Sequence, residues 1–281
     1  MTSKSVLITG CSDDGIGSGL ALALHDRGYR VFATLRDPSK ASKLKDVPNV
    51  TLLNLDVVEP AQIASTLEAV QRETGGMLDI LINNAGHNRF MPILDENIEE
   101  VKALFDVNVF APLAITKAFA PLLIKAKGSI VFITSISGYL NTPYMGSSAA
   151  TKRAVEIMGE TLRLEIAPFG VNVLDVVTGA VKTQGQSYFD NFTLPEGSLY
   201  KPIESTIANR AQGGDGVTRM SLEEYSVAVA DAIINRTSGK FWYGENADRV
   251  KGVTTATSVP QSAMDAGVLM GTGLDALAEM R

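Results

Sequence analysis

Ser5-Val6-Leu7-Ile8-Thr9-Gly10-Cys11-Ser12-Asp13-Asp14-Gly15-Ile16-Gly17 is an apolar, β-rich run that breaks into glycines and passes into a helix-like segment over 17–27. A strand, a glycine turn and a helix in that order present backbone amides to an anion. The glycines let the chain approach a pyrophosphate closely, and the helix N-terminus offers unpaired N–H groups and the positive end of its dipole. Gly28 follows as the expected helix C-cap.

The same alternation continues outward. Strands are predicted over 29–35, 50–55, 78–82, 129–134 and 171–177, with a short last one over 241–243. Helices are predicted over 61–74, 99–125 and 151–167. Another runs from the capping box Ser221-Leu222-Glu223-Glu224 to about Asn235. Near-continuously apolar strands separated by helices predict one doubly wound parallel sheet of Rossmann type, covered by helices on both faces. In such a sheet the ligand lies at the carboxyl ends of the strands. One domain over 1–281 is expected, with a substrate lid over about 184–220 and a C-terminal extension over about 245–281. That extension contains Val259-Pro260 and the apolar-spaced stretch 264–280.

Composition narrows the function classes. The net charge of −6 gives no reason to expect a nucleic-acid partner. One cysteine among 281 residues excludes an internal disulfide, and Cys11 has no nearby His or Cys with which to hold a metal. No charged-then-apolar leader and no transmembrane-length apolar run is read, so a cytoplasmic protein is expected. The tail is not basic, which argues against a membrane-surface role.

At the end of the second strand Thr34-Leu35-Arg36 carries no carboxylate before Asp37. An acidic residue there would bind free ribose hydroxyls, whereas an arginine forks onto a 2′-phosphate, so NADP(H) is the expected cofactor. Ser12 is positioned to add a hydroxyl.

Thr9-Gly10-Cys11-Ser12, Ala33-Thr34-Leu35-Arg36-Asp37, Asn83-Asn84-Ala85-Gly86, Asn108-Val109, Ser135 and Lys152 together resemble the classical short-chain dehydrogenases/reductases over about residues 5–185. Within that family the chain looks most like the 17β-hydroxysteroid dehydrogenase type 1-like and fungal acyl-dihydroxyacetone-phosphate reductase-like members. Four residues separate Gly10 from Gly15, where the family usually has three. The resemblance implies a cofactor site of Gly10, Ser12, Gly15, Ile16, Gly17, Arg36, Asp56, Val57, Asn83, Ala85, Gly86, Lys152, Gly179, Val181 and Thr183. Thr178 replaces the family's proline before Gly179. It also implies that Asn108 supports a water and a helix kink, that Ser135 bonds the substrate carbonyl, and that Lys152 binds the nicotinamide ribose. Homodimers or homotetramers built through the long helices are expected by the same resemblance.

The family's catalytic tyrosine lies four residues before the lysine and commonly thirteen after the serine. Both counts land on Ser148. A serine hydroxyl is a far weaker acid than a phenol beside a cation, and shorter by a ring, roughly 4 Å. Two readings of Ser148 stay open: a deliberate substitution that traps a bound ligand, and natural divergence to slow or non-reductive chemistry. Tyr139 and Tyr144 are candidate substitutes, and Tyr144 is also a candidate pocket wall. Phe90, Met91, Met145, Tyr188 and Phe189 are further candidate walls. His87 is a candidate for a substrate polar group, and His25 reads as a surface or packing residue. The expected activity is NADPH-dependent carbonyl reduction or alcohol oxidation on a bulky apolar small molecule, crippled at Ser148. The alternative is an NADP(H)-binding protein with a sensing or non-redox role.

Overall fold

The computed structural model describes residues 3–256, Pro260 and Ser262, with the side chains of residues 186–188 left out. The stretch 264–280 and the side chain of Tyr188 lie outside the described residues. The elements run β1 (Ser5–Thr9), α1 (Ile16–His25), β2 (Arg30–Leu35), β3 (Val50–Asn54), α2 (Pro60–Thr74) and β4 (Ile80–Asn83). Then come α3 (Ile98–Phe105), α4 (Ala111–Ala126), β5 (Ser129–Ser135), α5 (Gly146–Ile166) and β6 (Asn172–Thr178). Last are α6 (Glu204–Ala211), α7 (Leu222–Ile234), β7 (Gly239–Tyr243) and α8 (Ala247–Thr254).

All seven strands pair in parallel in the order β3-β2-β1-β4-β5-β6-β7. The period-two pleat divides their side chains between two cores. Val6, Ile8, Val31, Ala33, Ile80, Ile82, Val131, Ile133, Leu174 and Val176 pack with residues of α1 and α7. Leu7, Phe32, Leu81, Ile130, Phe132 and Val173 pack with residues of α2, α4 and α5. Strand order reverses between β1 and β4, which opens the crevice at their carboxyl ends.

Several sequence expectations are corrected. The predicted helix over 99–125 is broken by a π-helical turn at Asp106–Phe110, which separates α3 from α4. The combined segment Ile98–Ala126 is, by length and composition, apolar enough to cross a membrane, contrary to the reading of no such run. Here Ile115, Phe119, Leu122 and Leu123 are buried in the second core. Helix α5 begins five residues before the predicted start, at Gly146, and so takes Ser148 into its first turn. Helix α1 is capped at Asp26 rather than Gly28. Gly28 instead takes a φ of +83° and returns its N–H to the His25 carbonyl.

Residues 184–220 are more than a loop, because they contain α6. The excursion leaves and rejoins the body at one place. Lys182 N–H donates to the Met220 carbonyl and Met220 N–H to that of Ala180.

Candidate active site

The glycine loop is fastened to the turn after β4. Thr9 Oγ1 accepts from the N–H groups of Asn84 (3.0 Å) and Ala85 (2.9 Å), and Asn84 Nδ2 donates to the carbonyls of Thr9 (2.7 Å) and Gly10 (3.0 Å). A Cβ on Gly10 would stand 2.8 Å from Ala85 Cα, and one on Gly17 would stand 2.4 Å from the Gly10 oxygen. No side chain fits at either position, so the helix end and two strand ends meet as bare backbone. Gly15 is the N-cap of α1, and no acidic side chain stands in the helix's first turn to occupy its amides. This cradle fits a dinucleotide pyrophosphate.

One residue of the long loop ties it down. Asp13 accepts from Ser42 N (2.8 Å), Ser42 Oγ (2.7 Å) and Lys43 N (3.1 Å), which ties the loop to the segment after β2. Ser12 lies half-buried beside it, its carbonyl accepting from Gly15 N–H. Arg36 is exposed at the end of β2. The neighbouring carboxylate, Asp37, is spent on its own turn, accepting from Ser39 N (3.0 Å) and Oγ (2.7 Å). Asp56 and Val57 follow β3; Asp56 Oδ1 accepts from Val58 N–H and Val57 is buried.

Three expected cofactor residues are held by packing contacts. Asn83 is buried, with Nδ2 donating to Thr116 on α4 and Oδ1 without a partner, so its side chain packs between elements. Val181 is buried and packs in the first core. Gly179 is required by the chain after β7, because a Cβ there would stand 2.3 Å from the Glu245 oxygen. Thr183 is half-buried and accepts from Gly185 N–H. Ala85 and the exposed Gly86 remain at the groove's edge. Thr178, standing for the family's proline, shares a 2.6 Å hydrogen bond with the buried Tyr225 hydroxyl, a partner the sequence gave no reason to name.

The expected catalytic residues come from three elements. Asn108 sits in the π turn, where the altered helix period aims it inward. Its Oδ1 accepts from His87 N–H (3.0 Å), while Nδ2 donates to the His87 carbonyl (2.9 Å) and Thr151 Oγ1 (3.0 Å). Ser135 closes β5, its Oγ accepting from Ser137 N–H. Lys152 Nζ donates to the Ile133 carbonyl at 3.0 Å and lies 3.6 Å from where a Cβ on Gly86 would stand. Burial pushes its ammonium down to about 8.

Ser148 is buried and its hydroxyl is fully used. It donates to the Arg89 carbonyl (2.9 Å) and accepts from Arg89 N–H (2.6 Å). Arg89 in turn pairs with Glu96 and Glu100, and Ser147 Oγ donates to Glu96 at 2.8 Å. Sequence reading missed this network, because the five side chains come from three separate segments. Tyr139 is no substitute for a phenol at 148. Its hydroxyl donates to Glu156, its ring lies against Trp242 and Arg153, and burial followed by the Glu156 contact pushes its pKa up.

Above the cleft Phe90 meets Tyr144 (5.7 Å between ring centroids), Phe189 (6.2 Å) and Phe192 (6.4 Å). Met91 N–H donates to the Tyr144 carbonyl, and Met145 precedes α5 as its N-cap. Phe192 joins this wall unforeseen. Of the remaining candidates, Cys11 donates to the Ile8 carbonyl inside the core, and burial pushes its thiol up to about 12. His25 pairs with neighbouring Asp26 at the surface. His87 stands near Arg36, Lys152 and Arg89; burial first, then those cations, push its pKa down.

Residues 4–192 match the family described as short chain dehydrogenase. The chain is 43% identical to the short-chain dehydrogenase ptmH of Penicillium ochrochloron, over 88% of this chain and 90% of that protein. It is 37% identical to an NADPH-dependent 1-acyldihydroxyacetone phosphate reductase of Schizosaccharomyces pombe, over 85% of this chain and 80% of that one. Among solved structures, a short chain dehydrogenase from Burkholderia cenocepacia in complex with NADP superposes with a TM-score of 0.71. It is 27% identical, with 95% of this chain and 98% of that one covered.

Proposed function

Because the chain belongs to the short-chain dehydrogenase family, we propose that it is an NADP(H)-dependent carbonyl reductase or alcohol dehydrogenase for a bulky, mainly apolar ketone or alcohol. The observation that carries this reading is one juxtaposition. The bare-backbone cradle at Gly10 and Gly17 opens onto the same cleft as Ser135 and Lys152, beneath the Phe90 wall. Arg36 with a self-satisfied Asp37 supports a 2′-phosphorylated dinucleotide. The NADPH dependence printed for the fission-yeast relative and the NADP bound in the Burkholderia structure agree with it.

When bound, the nicotinamide supplies or accepts the hydride. The chain's residues do the rest. Ser135 Oγ accepts from Ser137 and offers its own proton to the substrate oxygen. Asn108 fixes the backbone of His87 at the cleft edge. Lys152 holds a positive charge at the cleft floor. Residues 184–220 cover the apolar end of the substrate, with Phe189 and Phe192 as the contact. Without a phenol at 148 proton transfer is slow, by the about 10²–10⁴-fold that general acid catalysis contributes.

A second reading, cofactor binding for sensing or non-redox chemistry, is favoured by one observation: Ser148 is built into the Arg89 clamp rather than left facing the cleft. NADPH oxidation against a ketone panel, with the native chain and with Ser148→Tyr, separates the two. The reductase reading expects slow native turnover and a gain of at least about a hundredfold in the variant. A folded, NADPH-binding pair of proteins that turns over none of the panel favours the second.

A further inference from the structure

The cleft lacks the family's acid at position 148, yet among the described side chains one is placed to give a proton, and its identity follows from the bonds and surroundings of the others. The single proton of Ser148 goes to the Arg89 carbonyl. That of Thr151 goes to the Ser148 carbonyl at 2.7 Å. Tyr139 points at Glu156, away from the cleft. The Tyr144 ring belongs to the aromatic wall. His87 is held toward its neutral form by burial and by Arg36, Lys152 and Arg89, and a neutral imidazole is a poor acid. Ser135 keeps its proton, but an aliphatic hydroxyl is too weak an acid to release it near neutral pH.

Lys152 differs in each respect. Its ammonium carries three protons, and the Ile133 carbonyl takes one. Nζ lies beneath Gly86, one helical turn from Ser148 on the same face of α5.

We propose that Lys152 is the general acid of this site, giving its proton to the substrate oxygen directly or through one water. This rests on the reductase reading above. A dihydronicotinamide held at the Gly10–Gly17 cradle would supply the carbonyl carbon with a hydride, and the carbonyl π pair would move to oxygen. That oxygen takes a proton from Nζ, whose N–H pair stays on nitrogen. The products are the alcohol, the oxidised dinucleotide and a neutral amine, which regains its proton from solvent. The groups placed near Nζ are the Ile133 carbonyl on β5, Gly86 and His87 after β4 and, beside Gly86, Asn108 in the π turn. None is a carboxylate that would hold the ammonium charged, which agrees with burial alone drawing it down to about 8.

Two measurements test this. In the cofactor-free protein with ¹³C-methylated lysines, one resonance should titrate near 8 and be missing from Lys152→Arg. In turnover, kcat/KM for ketone reduction should be flat at low pH and fall tenfold per pH unit above the same value. Lys152→Ala should lose at least about a hundredfold and recover in proportion to added methylammonium, with NADPH binding followed separately by calorimetry. A native profile with no group near 8, or loss of activity in Tyr144→Phe with no amine rescue of Lys152→Ala, overturns the assignment. So does turnover by Ser148→Tyr but not by the native chain, which leaves the reductase reading standing. Absence of turnover in both proteins removes the reductase reading and the assignment together.

Discussion

At the scale of single residues, the cofactor preference turns on Arg36 and Asp37. The carboxylate at the end of β2 is absorbed by Ser39, which leaves the exposed arginine unopposed by its neighbour. A bidentate, charge-assisted contact is worth about 1.5–3 kcal/mol, or about ten- to a hundredfold in affinity. Calorimetry should therefore find NADPH bound tighter than NADH by that factor, and Arg36→Asp should reverse the order. Equal binding of the two by the native protein would refute the role of Arg36. The arginine was legible in the sequence because a strand end is a fixed address in this fold. The use of Ser148 was not. Spacing alone marks it as a missing tyrosine, whereas its two bonds to Arg89 depend on a segment 59 residues away. A tyrosine introduced there must release Arg89 or turn its ring past it, and that cost falls on the fold as well as on the chemistry.

At the scale of elements, helix α5 carries the catalytic face on one side and an unusual buried acid on the other. Asp175 on β6 is fully buried beneath Gly159, where a Cβ would stand 2.4 Å from its Oδ1, and neither of its oxygens has a donor. Glu156 and Glu160 face it from α5, with Arg153 and Arg163 as their partners, while Lys240 approaches from β7. Burial first, then Glu160 and Glu156, push the Asp175 carboxyl up to about 9 against the pull of Lys240. The folded protein thus holds a proton that the unfolded chain releases between about pH 4 and 9. Over that window this group's contribution to stability falls as pH rises, by about 1.4 kcal/mol per pH unit. Urea unfolding from pH 5 to 9 should show a decline in the native protein that Asp175→Asn flattens by that slope; parallel curves would count against a neutral Asp175. Period and caps in the sequence located most elements to within a residue or two. They missed the π turn, which depends on Asn108 bonding His87 and Thr151, and the first turn of α5, whose Gly146-Ser147 start lacks a helix signal.

At the scale of the whole molecule, the parallel sheet was readable because each strand is apolar on both faces, and the structure divides those residues between two helical layers. The glycine loop and the turn after β4 meet at the reversal of strand order, as the motif and topology together require. What the sequence could not supply was the division of labour within the groove: Asn83, Val181 and Gly179 belong to packing as much as to any ligand. The central claim is that this architecture moves a hydride between a 2′-phosphorylated nicotinamide and an apolar carbonyl. The most direct measurement is mass spectrometry of the alcohol formed when the native chain is incubated with a bulky ketone and NADPH deuterated at C4 on either face. The account predicts one deuterium on the carbinol carbon, delivered from one face only. NADPH that binds to the folded protein yet leaves no label in any product would contradict it.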